Sequence, residues 1–188
     1  MSFILRPKRL HKPEFVTLVS AVAVVEGIKQ STGIDATIRW PNDVDIRKKK
    51  VAGIIAEAQT SKKEINQMIV GIGLNCNAPF TEPELSVNST SLSQELGKNV
   101  GILKIRDSVL GSFANLYELW QAGEDMVPFW TKHLSTLGKN VIIKVKTTET
   151  PFSCVAMDVD LDGGLLVETN GETVLVRPED LEWLREQP

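Results

Sequence analysis

Cysteine and histidine are scarce, with two of each in 188 residues. Cys76 and Cys154 stand far apart with neither a CxxC nor a His pair beside them. That excludes a zinc site as the organising element and leaves both thiols as small buried hydrophobes in a reduced compartment. Charge of one sign is not in excess either. Against 21 Lys and Arg stand 24 Asp and Glu, a formal net charge of -3, which argues against a general nucleic-acid footprint and makes any basic patch local. No apolar run approaches the ~18 residues of a membrane span, and "MSFILRPKRLHKPEF" lacks the apolar core of a signal peptide. The expectation is a soluble, cytoplasmic protein without a membrane partner. "NST" at Asn88 matches a glycosylation sequon but carries no weight without a secretion signal. What is present is an ordinary globular composition, 42% hydrophobic and 24% charged, in a chain long enough to bury roughly two thirds of its unfolded surface.

The pattern along the chain is strand, helix, strands, helices, strands. "SFILRP" reads as a strand stopped by Pro7. From Pro13, the residues Phe15, Leu18, Val19, Val22, Val25 and Ile28 recur at helical spacing, and Gly33 supplies a stop. This predicts a helix that buries one stripe. "IDATIRW" alternates as a strand up to Pro41, whose missing N–H ends the pairing. "VAGIIAEAQ" and "INQMIVGIGLN" are strand-like, with "TSKKE" as a hairpin connection. After a loop, "NAPFTEPELSVN", a capping box of Ser91 and Gln94 predicts a short helix to Gly97. An amphipathic helix follows through Ile105, Val109, Phe113, Leu116, Tyr117 and Trp120, then a helical "MVPFWTKHLSTL", with Trp120 and Trp130 as core anchors. Beyond Gly138, "NVIIKVK", "FSCVAMDV", "GLLVE" and "TVLVRP" are four short strands joined by turns that include "DLDGG" and "TNGE". They suggest a small β-barrel or sandwich with a boundary near residue 137.

Polar groups gather at the strand ends: Asn42 with Asp43, then Lys50, then Asn75 with Asn77. A connection of seven positions from Asp43 to Lys50 would return the chain to one sheet edge, and the following hairpin would bring Asn75 near it. Such a set suits a phosphorylated ligand: a carboxylate can hold Mg2+, an ammonium neutralises phosphate or carboxylate oxygens, and amides read a base or ribose. Gly53, Gly71 and Gly73 lie inside strands, where glycine costs stability unless a bulge or close ligand needs bare backbone. Either ligand room or tight helix-on-sheet packing would account for them. "GIG" is not a dinucleotide fingerprint, since no third glycine or helix follows. Of the basic run "RKKK", only Lys50 adjoins the apolar strand; Arg47, Lys48 and Lys49 are expected to stay solvated.

"RWPNDV", "KKVAGII" followed by a Glu, "VGIGLN" and "TSL" before a helix occur here in the order and spacing of the biotin-protein ligase catalytic domain, which this chain resembles. The resemblance continues through "GKNVIIKV" and "LDGGLLVE" to the family's small SH3-like C-terminal domain and covers essentially the whole chain. It implies an α+β fold of the class II synthetase-like type with a mixed or antiparallel sheet and packed helices, residues 1–137 being part of the catalytic domain and 138–188 an SH3-like β-barrel. It also implies a reaction. Biotin and ATP give biotinyl-5'-adenylate, and the biotinyl group passes to a lysine of a biotin carboxyl carrier protein. By resemblance Lys50 is the catalytic lysine between biotin carboxylate and phosphate; Asn42, Asp43 and Asn75 contact the adenylate, Asp43 with Mg2+; Gly53, Gly71 and Gly73 line the biotin pocket. Arg39 stands where lysine is common in the family, keeping the charge but not its geometry.

Family members also carry a glycine- and arginine-rich biotin loop upstream of the strand resembling "MSFILRP", and this sequence has no counterpart to it. The expectation is therefore half of a family site and impaired activity of the chain by itself, with a wrong start, a truncation or a separate N-terminal catalytic segment all open. No helix-turn-helix segment precedes the catalytic part, so no DNA partner is expected; a homodimer is one admissible state. Two other functions stay in view: a non-catalytic adenylate-binding or regulatory module, and a lipoate or octanoate transferase sharing the fold class.

Overall fold

A computed structural model of the chain describes residues 1–7, 12–61 and 64–187, and within it two compact units separate: 1–38 with 42–133, and 39–41 with 134–187. The structure is α+β with two antiparallel five-stranded sheets.

The strands of the first sheet are β1 (Ser2–Leu5), β2 (Thr37–Arg39), β3 (Asp43–Ile46), β4 (Lys49–Ser61) and β5 (Glu64–Leu74), in the spatial order β1-β5-β4-β3-β2. Two residues of the expected "TSKKE" connection, Lys62 and Lys63, lie outside the described residues. β3 lies within the stretch from Asp43 to Lys50 that the sequence predicts to be a connection. Its hairpin to β4 turns on Arg47 and Lys48, both at positive φ (51° and 66°). That is the geometry of a two-residue hairpin turn, for which Asn-Gly is the usual signal and which is absent here.

Directly opposed residues of an antiparallel pair share a face, so the register defines two sides of the sheet. Val44 opposite Ala52, Ile54 opposite Ile72 and Ala56 opposite Val70 form the covered side, and Val44, Ala52, Ile54, Val70 and Ile72 are all buried. Helix α1 (Phe15–Thr32) packs on it and is itself packed by α4 (Ile102–Gln121). The expected single buried stripe is therefore a correction: Ala21, Ala23 and Val24 are as inaccessible as Val19 and Val22, because α1 lies between a sheet and another helix. The close approach of the two helices falls on Gly27, where a Cβ would lie 2.6 Å from Val109 Cγ2 and 2.7 Å from the Val109 backbone. Gly33 ends α1 in the left-handed conformation, as glycine does at many helix ends.

The loop after β5 holds a short helix missed in the sequence, α2 (Pro83–Asn88), and then α3 (Leu92–Leu96), capped by Ser91 Oγ, which accepts from the Gln94 N–H at 3.4 Å. The reciprocal half of the expected capping box takes another form: Gln94 Oε1 accepts from Ser91 Oγ at 3.3 Å and not from the Ser91 amide, while Gln94 Nε2 donates to the Phe80 carbonyl at 3.3 Å. On α4, Ile105, Val109, Phe113, Leu116 and Trp120 are buried, as is Trp130 on the short α5 (Val127–Thr131).

The second unit holds β6 (Asn140–Val145), β7 (Phe152–Val159), β8 (Leu165–Thr169), β9 (Glu172–Val176) and a fifth strand not expected, β10 (Leu181–Glu186), in the order β10-β6-β7-β8-β9. β10 and β9 stand at opposite edges, and among the described residues no pairing closes the sheet into the expected barrel. Asn170 and Gly171, both at positive φ, make the β8–β9 turn. Trp40 groups with this unit, fully buried, its indole N–H donating to the Gly163 carbonyl at 3.0 Å. Cys154 is also buried, which pushes its thiol up to about 11, as expected of an inert packing thiol.

Two outcomes are expected from this packing. Gly27→Ala should lower stability by about 1–3 kcal/mol despite the better helix propensity of alanine, because the overpacked neighbour is backbone, whereas Gly111→Ala, on the exposed face of α4 with nothing within 4 Å, should be neutral or stabilising by up to about 1 kcal/mol; urea unfolding of both variants checks this. His133 is held below its ordinary pKa of 6.5 by burial and by Lys132, and its Nε2 is buried without a hydrogen-bond partner among the described residues. The unfolded chain therefore takes up this proton first, and stability should fall as pH drops from about 6.5 toward the lowered pKa. His133→Gln should flatten that segment of the urea-midpoint profile.

Candidate functional site

The other side of the first sheet is open. Along it Asp43, Gly53 and Gly73 form one row across β3, β4 and β5, and Ile55, Gly71 and Ser2 form the next across β4, β5 and β1. Ile55 is 69% exposed and Ile4 51%, so nothing in the described chain covers this face there.

Strict alternation would send Lys50 to the covered side together with Ala52 and Ile54. A bulge prevents this. Val44 pairs with Ala52 but the next residue, Asp45, pairs with Lys50, so Val51 is an extra residue on β4 and the phase of the strand changes across it. The Lys50 side chain then runs along the open face above Gly53, and its Nζ reaches Asp43 Oδ1 at 2.6 Å. Both partners keep contact with solvent, 41% and 28% exposed at the side chain, so a ligand can reach them.

The backbone groups that the bulge and the end of β4 leave over are taken up by neighbouring loops. Asn75 N–H donates to the Val51 carbonyl at 2.9 Å, and Thr90 N–H donates to the Lys50 carbonyl at 3.0 Å. Asn75 Nδ2 in turn donates to the Thr90 carbonyl at 3.2 Å, closing a loop of hydrogen bonds around the Lys50 backbone. Thr90, in the "TSL" segment, acts here through its backbone N–H and carbonyl, which no side-chain pattern can mark. Asn42 Nδ2 donates to the Ile54 carbonyl at 2.7 Å, which ties the start of β3 to β4. Asn77 bridges Val100 in both directions, at 3.0 and 2.9 Å, and serves the loop.

The structure thus brings Asn42, Asp43, Lys50, Gly53 and Gly73 onto adjoining positions, while Asn75 connects to Lys50 through backbone. The three glycines differ. The space at Gly53 is filled by Lys50, that at Gly71 by Ile55, whose Cγ1 lies 3.0 Å from a built Cβ, and only Gly73 opens on unfilled room, with nothing nearer than the Gly53 carbonyl at 3.9 Å. Of the flanking basic residues, Lys49 is a correction: it is half-buried, and its ammonium donates to the Ser86 carbonyl at 2.6 Å. Arg47 stays exposed and pairs with Glu95 at 3.3 Å. Asp43 is a single carboxylate; among the described residues no group of three acidic, His or Cys side chains could cage a metal. That donor set fits a Mg2+ held mainly by phosphate oxygens and water.

An ammonium held by a carboxylate beside bare backbone can meet an anionic group. The model of the biotin/lipoate A/B protein ligase family matches residues 1–75, and the chain belongs to that family. It is 35% identical over 97% of its length to the bifunctional ligase/repressor BirA of Bacillus subtilis and 30% identical over 81% to the biotin--[acetyl-CoA-carboxylase] ligase of Paracoccus denitrificans. It spans 57% and 65% of those relatives. The biotin protein ligase of Aquifex aeolicus in complex with biotin and ATP superposes with a TM-score of 0.83 at 25% identity, over 99% of this chain and 77% of that one.

Asn42→Ala should cost about 1 kcal/mol of stability through the lost bond to Ile54, independently of any ligand. Urea unfolding without ligand checks this.

Proposed function

We propose that the chain is the adenylate-forming part of a biotin-protein ligase: it joins biotin to ATP and supports passage of the biotinyl group to a lysine of a biotin carboxyl carrier protein. The observation that carries this reading is Lys50 Nζ, 2.6 Å from Asp43 on an open sheet face next to the bare backbone of Gly73. The relatives named as biotin ligases, and the structural neighbour that holds biotin and ATP, support it.

The reaction brings two anions together. A biotin carboxylate oxygen attacks the α-phosphorus of ATP, the new O–P bond forms as the bond to the β-phosphate oxygen breaks, and pyrophosphate leaves. Repulsion between carboxylate and phosphate opposes the approach, and a fixed ammonium between them removes much of it. Lys50 is that ammonium. Asp43 holds it in place and, with Mg2+ bound, lends its carboxylate to the ion, which supplies further neutralisation of the phosphates. Asn42 and Asn75 spend their amide N–H groups on the fold and keep a side-chain oxygen each for ribose hydroxyl or adenine N–H. Gly73, with Gly53 alongside, gives biotin access to backbone, while the room at Gly71 is taken by Ile55. In the second half the carrier lysine attacks the acyl carbonyl and AMP leaves.

In this reading residues 1–137 belong to the class II synthetase-like catalytic domain and 138–188 to the SH3-like C-terminal domain, working in the cytoplasm. The matched family model also embraces lipoate ligases, so lipoate is the competing acid.

Incubation with biotin, ATP, Mg2+ and a carrier domain, with the chain alone and with any segment encoded upstream, tests the proposal. Biotinylated carrier or released adenylate is expected, lost by roughly 10²–10³-fold in Lys50→Ala. Saturable ATP binding without turnover in both arrangements would replace the ligase by a regulatory adenylate-binding module, and preference for lipoate in competition would replace biotin.

A further inference from the structure

We infer that Gly53 is a positioning residue for Lys50: its missing side chain is the channel through which the ammonium reaches Asp43. The inference rests on the reading of Lys50 above and departs from it at Gly53, which there gives room to the ligand itself.

The geometry separates the two roles. A Cβ on residue 53 would lie 3.2 Å from Lys50 Cε, 3.3 Å from Lys50 Nζ and 3.6 Å from Asp43 Oδ1. All three nearest atoms belong to the ion pair, so the vacated volume is already occupied before any ligand arrives. Gly73, its cross-strand partner, has no side chain against it. Nor does Gly53 owe its place to backbone conformation, since it is not among the glycines at positive φ. An ordinary L residue could adopt this backbone, and what forbids one is the lysine lying across the strand. The arrangement needs the bulge as well. Residues 50 and 53 are an odd number of positions apart and would point to opposite faces of a regular strand; with Val51 extra they share one.

An alanine at 53 requires Lys50 to give by a few tenths of an ångström, and a valine, with two further methyl groups, demands more. Because glycine inside a strand loses more conformational entropy on folding than other residues, neither change should lower stability, which distinguishes positioning of Lys50 from support of the fold.

Crystal structures and urea unfolding of wild type, Gly53→Ala and Gly53→Val, with ATP affinities of wild type, Gly53→Val, Lys50→Met and the double variant, test this. The unfolding midpoint is expected to hold or rise, and in Gly53→Val the Lys50 Nζ should stand beyond roughly 4 Å from Asp43, outside ion-pair range. ATP affinity should fall roughly ten- to hundred-fold in Gly53→Val and in Lys50→Met, with the double variant no weaker than Lys50→Met. An ion pair retained in Gly53→Val, or affinity losses that multiply in the double variant, would overturn the inference, the second by showing that residue 53 meets the ligand directly. A wild type that binds no ATP would count against the ligase reading, and the Nζ–Asp43 distance would still decide the role of Gly53. If Gly53→Val fails to fold, Gly53→Ala decides: Nζ displaced from Asp43 supports the inference, and unchanged Lys50 coordinates overturn it.

Discussion

The ion pair of Lys50 with Asp43 depends on a single residue being out of step between two antiparallel strands. Antiparallel pairing fixes which residues face each other, and side-chain alternation fixes which face they share. On those rules Lys50 would be driven into the apolar layer with Ala52 and Ile54, where an ammonium without a partner costs several kcal/mol. Val51, inserted at the bulge, resolves the conflict. It lets β4 present an apolar face to α1 beyond the bulge and a charged side chain to the open face before it.

The surroundings hold that irregularity in place. A bulge leaves carbonyls without ladder partners, and buried or half-buried carbonyls need donors. The Val51 and Lys50 carbonyls receive them from Asn75 and Thr90, which are joined to each other through the Asn75 side chain. Beneath the sheet, α1 is inaccessible over most of its circumference, locked by the crossing at Gly27 and Val109. The covered face thus cannot shift to accommodate a change of register, while the open face is free to meet a ligand. Stability and chemistry are divided between the two sides of one sheet.

Much of this was legible in the residues. The helical spacing from Phe15 to Ile28, the stops at Gly33 and Gly97, the long apolar runs of β4 and β5, and the Asn-Gly turn before β9 are local signals, and local geometry follows from them. The acid, the lysine and the glycines could be marked as unusual for strands, and their ordered motifs pointed to the ligase family. Other features had no local signal. β3 carries no turn signal, because Arg47 and Lys48 make its turn without glycine or asparagine; there the strand pairing imposes the left-handed conformation on residues that do not favour it. Periodicity predicts one buried stripe on α1, because it cannot reveal a second packing partner, and the structure buries most of the helix.

The sequence by itself determined the chemical inventory and the family: which groups can carry charge, which positions lack side chains, and the order in which they come. Only the tertiary structure decided which of those groups meet. Lys50 and Gly53 are three positions apart in a strand, and whether they share a face is set by pairing with β3, a contact between segments. The same holds for the three glycines, alike in sequence, whose vacant volumes go to Lys50, to Ile55 and to open space. Side-chain placement across a sheet is a property of register, and register is fixed by the whole sheet folding against α1.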